Sequence, residues 1–133
     1  MKRRANKAEA SGAGAEFEAI FAHLREILRK YAGKLSVSDD SPRRYCLTGG
    51  LHPVHKQPMP VAWVEINKAY VSFHHMGVYG FPKLREGLSA QLKARMQGKS
   101  CFNFKVRDEA LFKELERVTA DGFAAFRRAG FAP

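Results

Sequence analysis

Acidic residues are the scarce class in this 133-residue chain. Thirteen Asp and Glu stand against twenty-three Lys and Arg, for a net charge of +10. Cysteine is scarcer still. Cys46 and Cys101 are too few for a disulfide framework and lack metal-ligand spacing, so both thiols are expected to be reduced and the chain to be cytoplasmic. No apolar run approaches the roughly 18 residues that a membrane span requires. The basic N-terminus has no apolar stretch behind it, so neither a membrane segment nor a secretory signal is expected. A nucleotide-binding loop is also missing. Gly98-Lys99-Ser100 ends like one, but Lys93 stands where the first glycine must be, and no strand precedes the segment. No cofactor is therefore expected. Paired carboxylates suited to acid–base chemistry are absent apart from Asp39-Asp40. Glu114 and Glu116 read as a solvated helix face, and an enzyme is not expected.

What is present is a positive charge excess, ten Phe, and clear hydrophobic periodicity. Residues 1–15 read as a flexible basic arm, with Lys2, Arg3, Arg4 and Lys7 ahead of a Ser-Gly-Ala-Gly segment. Residues 16–130 read as one domain. Phe17, Ile20, Phe21, Leu24, Ile27, Leu28 and Tyr31 recur at steps of three and four. They predict a helix of about four turns, ended by Gly33. A short strand is expected over Arg43–Leu47, and loop from Thr48 to Pro60. Val61–Ile66 and Ala69–His75 predict a hairpin joined through Asn67-Lys68, with Ala62, Val64 and Ile66 on one face. In its second strand, Val71, Phe73 and His75 face away from Tyr70, Ser72 and His74.

Gly77, Gly80 and Pro82 are expected to break the chain. Ser89 to Gln97 predicts a short helix that Gly98 terminates, turning into a strand over Cys101–Val106 with Phe102, Phe104 and Val106 on one side. Asp108 caps a last helix carrying Leu111, Phe112, Leu115, Val118, Thr119, Phe123 and Phe126, and its charges suit the helix dipole. This order predicts an α+β domain, a two-layer helix/sheet sandwich. Its sheet is mostly antiparallel, with the N- and C-terminal helices on one face.

The stretches YVSFH (70–74), QGKSCFNFK (97–105) and DEALF (108–112) resemble the YdhG-like family of uncharacterised bacterial domains. The resemblance covers roughly residues 16 to 130, and Gly98–Lys105 is its most specific part. It implies a frataxin-like fold and, from one branch of the family, an iron-chaperone role in iron–sulfur cluster assembly. The first helix opposes that role. Glu16, Glu18 and Glu26 share it with Arg25, Arg29 and Lys30, with Lys34 just beyond, and a hard cation needs oxygen ligands in surplus over nearby positive charge.

Three kinds of site remain. Trp63, Tyr70, His74, Tyr79 and Phe81 cluster in sequence around the hairpin and could line a small-ligand or protein-binding pocket, or simply pack as core. His52, His55 and His74 could supply three nitrogen ligands to a metal; His74 and His75 point to opposite faces, so only one of them can join. Lys93, Arg95, Lys99, Lys105 and Arg107 bracket one corner of the chain and could bind nucleic acid nonspecifically, although Phe102 and Phe104 alternate like a buried face. The leading expectation is a non-enzymatic domain that binds an unknown protein or small ligand. Nonspecific nucleic-acid binding and a frataxin-type metal role are the alternatives.

Overall fold

A computed structural model describes residues 14–51 and 58–130. It is α+β: helix α1 (Ala15–Arg29), strands β1 (Ser36–Asp40), β2 (Arg44–Leu51), β3 (Pro58–Ile66) and β4 (Val71–His75), and short helices α2 (Met76–Gly80), α3 (Pro82–Glu86) and α4 (Ala90–Lys93). Strands β5 (Met96–Gln97) and β6 (Cys101–Phe104) and the long helix α5 (Glu109–Ala129) complete it. The strands form one antiparallel sheet in the order β1-β2-β3-β4-β6-β5.

Side-chain alternation explains the two layers. Residues Tyr45, Val64, Phe73 and Phe102 lie opposite one another across four strands, and all are buried. Leu47, Ala62 and His75 form the next row on the same face. Helix α1 lays Ile20, Phe21, Leu24, Ile27 and Leu28 over this face, and burying each such side chain is worth roughly 1.5–3 kcal/mol. Helix α5 lies beside it, with the Phe112 ring edge-on to Phe104 at 5.1 Å and Phe123 against His75 at 4.7 Å. Tyr31 meets Phe123 at 4.3 Å, tying the two helices together. Every apolar residue predicted for α5 is buried. Asp108 caps it by accepting from the Leu111 N–H at 3.1 Å, and Gly130 closes it in the left-handed region at φ 80°.

Several local expectations are corrected. Gly33 does not cap α1: the helix ends at Arg29, Lys30 stays right-handed, and among the described glycines only Gly98 and Gly130 have positive φ. The expected loop over 48–60 is strand at both ends, with β2 reaching Leu51 and β3 starting at Pro58. The β3–β4 connection is four residues, closed by the Asn67 N–H donating to the Tyr70 carbonyl at 2.8 Å. Residues 77–82 do not simply break the chain. His75 accepts from the Gly77 N–H and starts α2, and Pro82 stands at the first position of α3.

The helix after Ser89 ends at Lys93, and Met96 and Gln97 pair with Phe102 and Cys101 instead. Gly98-Lys99-Ser100 is therefore a hairpin turn, with Gly98 at φ 76°, and not a helix-to-strand corner. Val106 lies beyond β6 and is 63% exposed, so it does not join Phe102 and Phe104 in the core. Glu116 is on the solvated side as expected. Glu114 is not: its carboxylate accepts from the Ser89 N–H at 2.8 Å and hydroxyl at 2.6 Å, and it pins α4 to α5. No helix among the described residues is long and apolar enough to cross a membrane.

Candidate functional site

The second face of the sheet carries the polar half of each alternating strand. One row across it reads Cys46, Trp63, His74, Cys101, Gln97, and the adjacent row reads Arg44, Glu65, Ser72, Asn103. Among the described residues no helix is packed on this face. Its larger side chains (Arg44, Trp63, Glu65, His74 and Asn103) are half-buried, while the small Cys46 and Ser72 are buried between them.

The rows hold together by stacking and hydrogen bonds. Trp63 and His74, directly opposite on β3 and β4, have ring centroids 4.5 Å apart and are nearly parallel at 13°. Beside them runs a chain of amides and a hydroxyl. Asn67 Nδ2 donates to Ser72 Oγ at 2.7 Å, Ser72 Oγ to Asn103 Oδ1 at 3.0 Å, and Asn103 Nδ2 to Gln97 Oε1 at 2.8 Å. The Cys101 thiol also points at Asn103 Oδ1, at 3.2 Å. At the far end Arg44 pairs with Asp39 at 3.1 Å.

Burial, and then the nearby Arg44 charge, pull the His74 imidazole down to about 4, so it is neutral at pH 7. Burial pushes the Cys101 thiol upward, opposed by the nearby Ser72 hydroxyl.

Toward the β5 edge the face deepens into a groove of about 420 Å³. Tyr70, Arg95 and Lys105 supply a ring and two cations to its lining, and Gln97 and Asn103 supply amides. Arg95 and Lys105 are exposed, as are Lys93, Lys99 and Arg107 around them. Among the described residues the Arg95 and Lys105 side chains have no ion-pair or hydrogen-bond partner. Arg107 reaches Glu109 at 3.5 Å. Phe102 and Phe104 face the helices and are unavailable to any ligand on this side.

The five residues expected to cluster are thus divided. Trp63, His74 and Tyr70 share the open face. Helix α2 carries Tyr79 and Phe81 around the end of the sheet to the helical side. Tyr79 is 53% exposed there, and Phe81 packs edge-on against Phe126 at 5.9 Å. Phe81 also lines a separate groove of about 330 Å³ with Pro82, Lys83, Leu84, Ala125 and Arg128. Pattern alone could not separate the two groups, because a five-residue helix after a strand carries no strong periodic signal.

Of the expected metal ligands, His52 and His55 lie outside the described residues, and His74 is in the stack with Trp63. Among the described residues no three His, Cys, Asp or Glu gather as a metal site. Two of the three first-helix carboxylates are already engaged: Glu26 binds Arg29 at 2.7 Å, and Glu16 accepts from the Arg107 N–H at 3.0 Å, while Glu18 is exposed.

The amides Gln97 and Asn103 carried no signal in the sequence. They become neighbours of Tyr70 only through the β4–β6–β5 register. No protein-family model, no curated protein and no solved structure matches this chain.

Proposed function

We propose that this chain is a non-enzymatic, cytoplasmic domain of the YdhG-like type that binds a small ligand or a segment of a partner on the open face of its sheet. The observation that carries this reading is the half-buried Trp63–His74 stack beside a hydrogen-bonded chain of amides and a hydroxyl. Rigid aromatic surface next to fixed polar groups is how small-ligand sites set both affinity and orientation. The neutral imidazole and the raised thiol support a binding role over a catalytic one. With Glu16 and Glu26 engaged, α1 has only Glu18 left for a hard cation, which weighs against iron delivery of the frataxin kind.

Trp63 is the only tryptophan, so its emission reports on this site without a label. A metabolite and peptide screen read by Trp63 emission and thermal shift is expected to find a ligand that moves both. His74→Ala is expected to weaken that ligand at least several-fold. A screen in which ligands stabilise the fold but leave Trp63 emission and the His74→Ala affinity unchanged would place binding elsewhere and defeat the reading.

A second reading, nonspecific nucleic-acid binding, is favoured by the exposed cations Lys93, Arg95, Lys99 and Lys105 on one edge of the same face. It predicts weak binding whose affinity falls steeply with added salt.

A further inference from the structure

We propose that the groove at the β5 edge binds an unpaired nucleotide of a single-stranded nucleic acid, with the base on the Tyr70 ring and the flanking phosphate between Arg95 and Lys105. The proposal deepens the reading above, since it assigns a ligand class to one end of the open face.

Three features of the groove point the same way. Its volume, about 420 Å³, lies in the range of small-ligand sites, roughly 300–1,000 Å³. Its charged lining is wholly cationic, and among the described residues neither Arg95 nor Lys105 is neutralised by a carboxylate. Its amides are arranged to donate. Asn103 Oδ1 is already occupied by Ser72 and Cys101, and Gln97 Oε1 by Asn103. What remains free for a ligand is the Gln97 amide nitrogen, the second N–H of Asn103 and one lone pair of Gln97 Oε1, so donors outnumber acceptors. A ligand that complements this lining has a flat face, several acceptors and a negative charge. A nucleobase with its phosphate meets all three conditions.

The surroundings favour a strand over a free nucleotide. Lys93 and Lys99 are exposed on either side of the groove-lining segment 94–97, where neighbouring phosphates of a strand would pass. Along the face, four strand residues or about 13 Å from Tyr70, the Trp63–His74 stack offers a second flat surface on which another base could lie. A duplex has its bases paired and stacked within the helix and cannot present one to Tyr70. The groove therefore selects single strands by shape as well as by charge.

The test measures binding of the full chain to a ten-residue oligothymidylate, to the matched duplex, to thymidine monophosphate and to inorganic phosphate. The variants are Tyr70→Ala, Tyr70→Phe, Arg95→Ala and Lys105→Ala, each checked for an unchanged thermal midpoint. The single strand is expected to bind at least tenfold more tightly than either the duplex or the mononucleotide. Tyr70→Ala is expected to lose roughly tenfold with no change in salt dependence, and Tyr70→Phe to retain affinity, because stacking needs only the ring. Arg95→Ala and Lys105→Ala are each expected to lower the salt slope by about 0.7.

Equal binding of duplex and single strand, or indifference to Tyr70→Ala, would overturn the proposal in favour of unspecific charge attraction. Equal affinity for thymidine monophosphate and the strand would assign the groove to a free nucleotide and overturn the strand. If no nucleic acid binds but another ligand shifts Trp63 emission, the nucleotide assignment falls while the open-face reading stands.

Discussion

The two faces of the sheet are built from alternate residues of the same strands, yet they follow different rules. On the helical face Tyr45, Val64, Phe73 and Phe102 form an apolar row that is almost wholly inaccessible to water. One residue away on each strand, Cys46, Trp63, His74 and Cys101 form a mixed row whose aromatic members remain half-exposed. The first row is what makes the chain fold, because removing apolar surface from water is the dominant favourable term. The second row is held by stacking and hydrogen bonds, so its composition is less constrained by the need to bury apolar surface. Neighbouring residues on one strand thus separate an apolar core from an accessible polar face.

Adjacent residues on β4 separate the two faces most directly. Phe73→Ala empties a fully buried site on the helical face and is expected to cost about 3–5 kcal/mol. His74→Ala removes a half-exposed ring whose main partner is Trp63 and is expected to cost about 1 kcal/mol. Urea denaturation of both variants measures the gap. Equal losses would mean that the open face is itself core, and the distinction between the faces would collapse.

The helical face was the legible one. Alternation on β3 and β4, the stripe of α1, and the Asp108 cap with the α5 periodicity are all local patterns, and each produced the element expected. Strand β1 was not legible. It is an edge strand of sequence SVSDD whose residues are nearly all exposed, so no burial pattern marks it. Met96–Gln97 is strand only because β6 lies alongside, a contact that propensity cannot announce. On the open face, alternation puts Trp63 and His74 on the same side, but the two-residue turn expected at Asn67-Lys68 would set Trp63 opposite Ser72, and only the four-residue connection brings it opposite His74. Tyr79 and Phe81 could not be excluded, since their departure depends on α2. That helix in turn depends on a tertiary contact, the His75 ring lodged against Gly77 and Gly122.

Among the described residues His75 is the one buried imidazole, and it sets the helical face apart through pH as well. Its ring is fully buried; Nδ1 accepts from the Gly77 N–H at 3.0 Å, and Nε2–H donates to the Thr119 carbonyl at 3.1 Å. Both nitrogens are used in the neutral form. Burial lowers its pKa from 6.5 to about 4, against the Thr119 bond, which raises it. A depressed folded-state value means that the unfolded chain binds the extra proton first as pH falls. Stability is therefore full above about pH 6.5 and is lost progressively toward pH 4, by roughly 3 kcal/mol in total from this group. His74 acts in the same direction, weakened by solvent screening. Denaturation measured from pH 8 to 4, with a native-state NMR titration of His75, tests the sign and the size. A His75 resonance that titrates near 6.5 in the folded protein would remove the effect.

A subtler change concerns two helix-side glycines that a sequence reader would treat alike. Alanine is ordinarily worth up to about 1 kcal/mol over glycine in a helix interior. At Gly122, inside α5, that gain is outweighed. A Cβ there would stand 2.5 Å from His75 Cε1 and 2.6 Å from Nε2, closer than carbon can approach. The ring cannot swing aside without losing the Gly77 and Thr119 bonds, so the helix or β4 must move instead. Overpacking of this kind costs roughly 1–3 kcal/mol. Gly122→Ala is therefore expected to destabilise by about 1–2 kcal/mol net. Gly33, just beyond α1, has a negative φ, and a methyl group added there would meet nothing within 4 Å. Gly33→Ala is expected to be neutral or to stabilise by a few tenths of a kcal/mol, through the lower entropy of the unfolded chain. Thermal and urea unfolding of the two variants should move in opposite directions. If Gly122→Ala is tolerated, the His75 ring is not fixed as the structure places it, and the pH dependence assigned to it should weaken in the same variant.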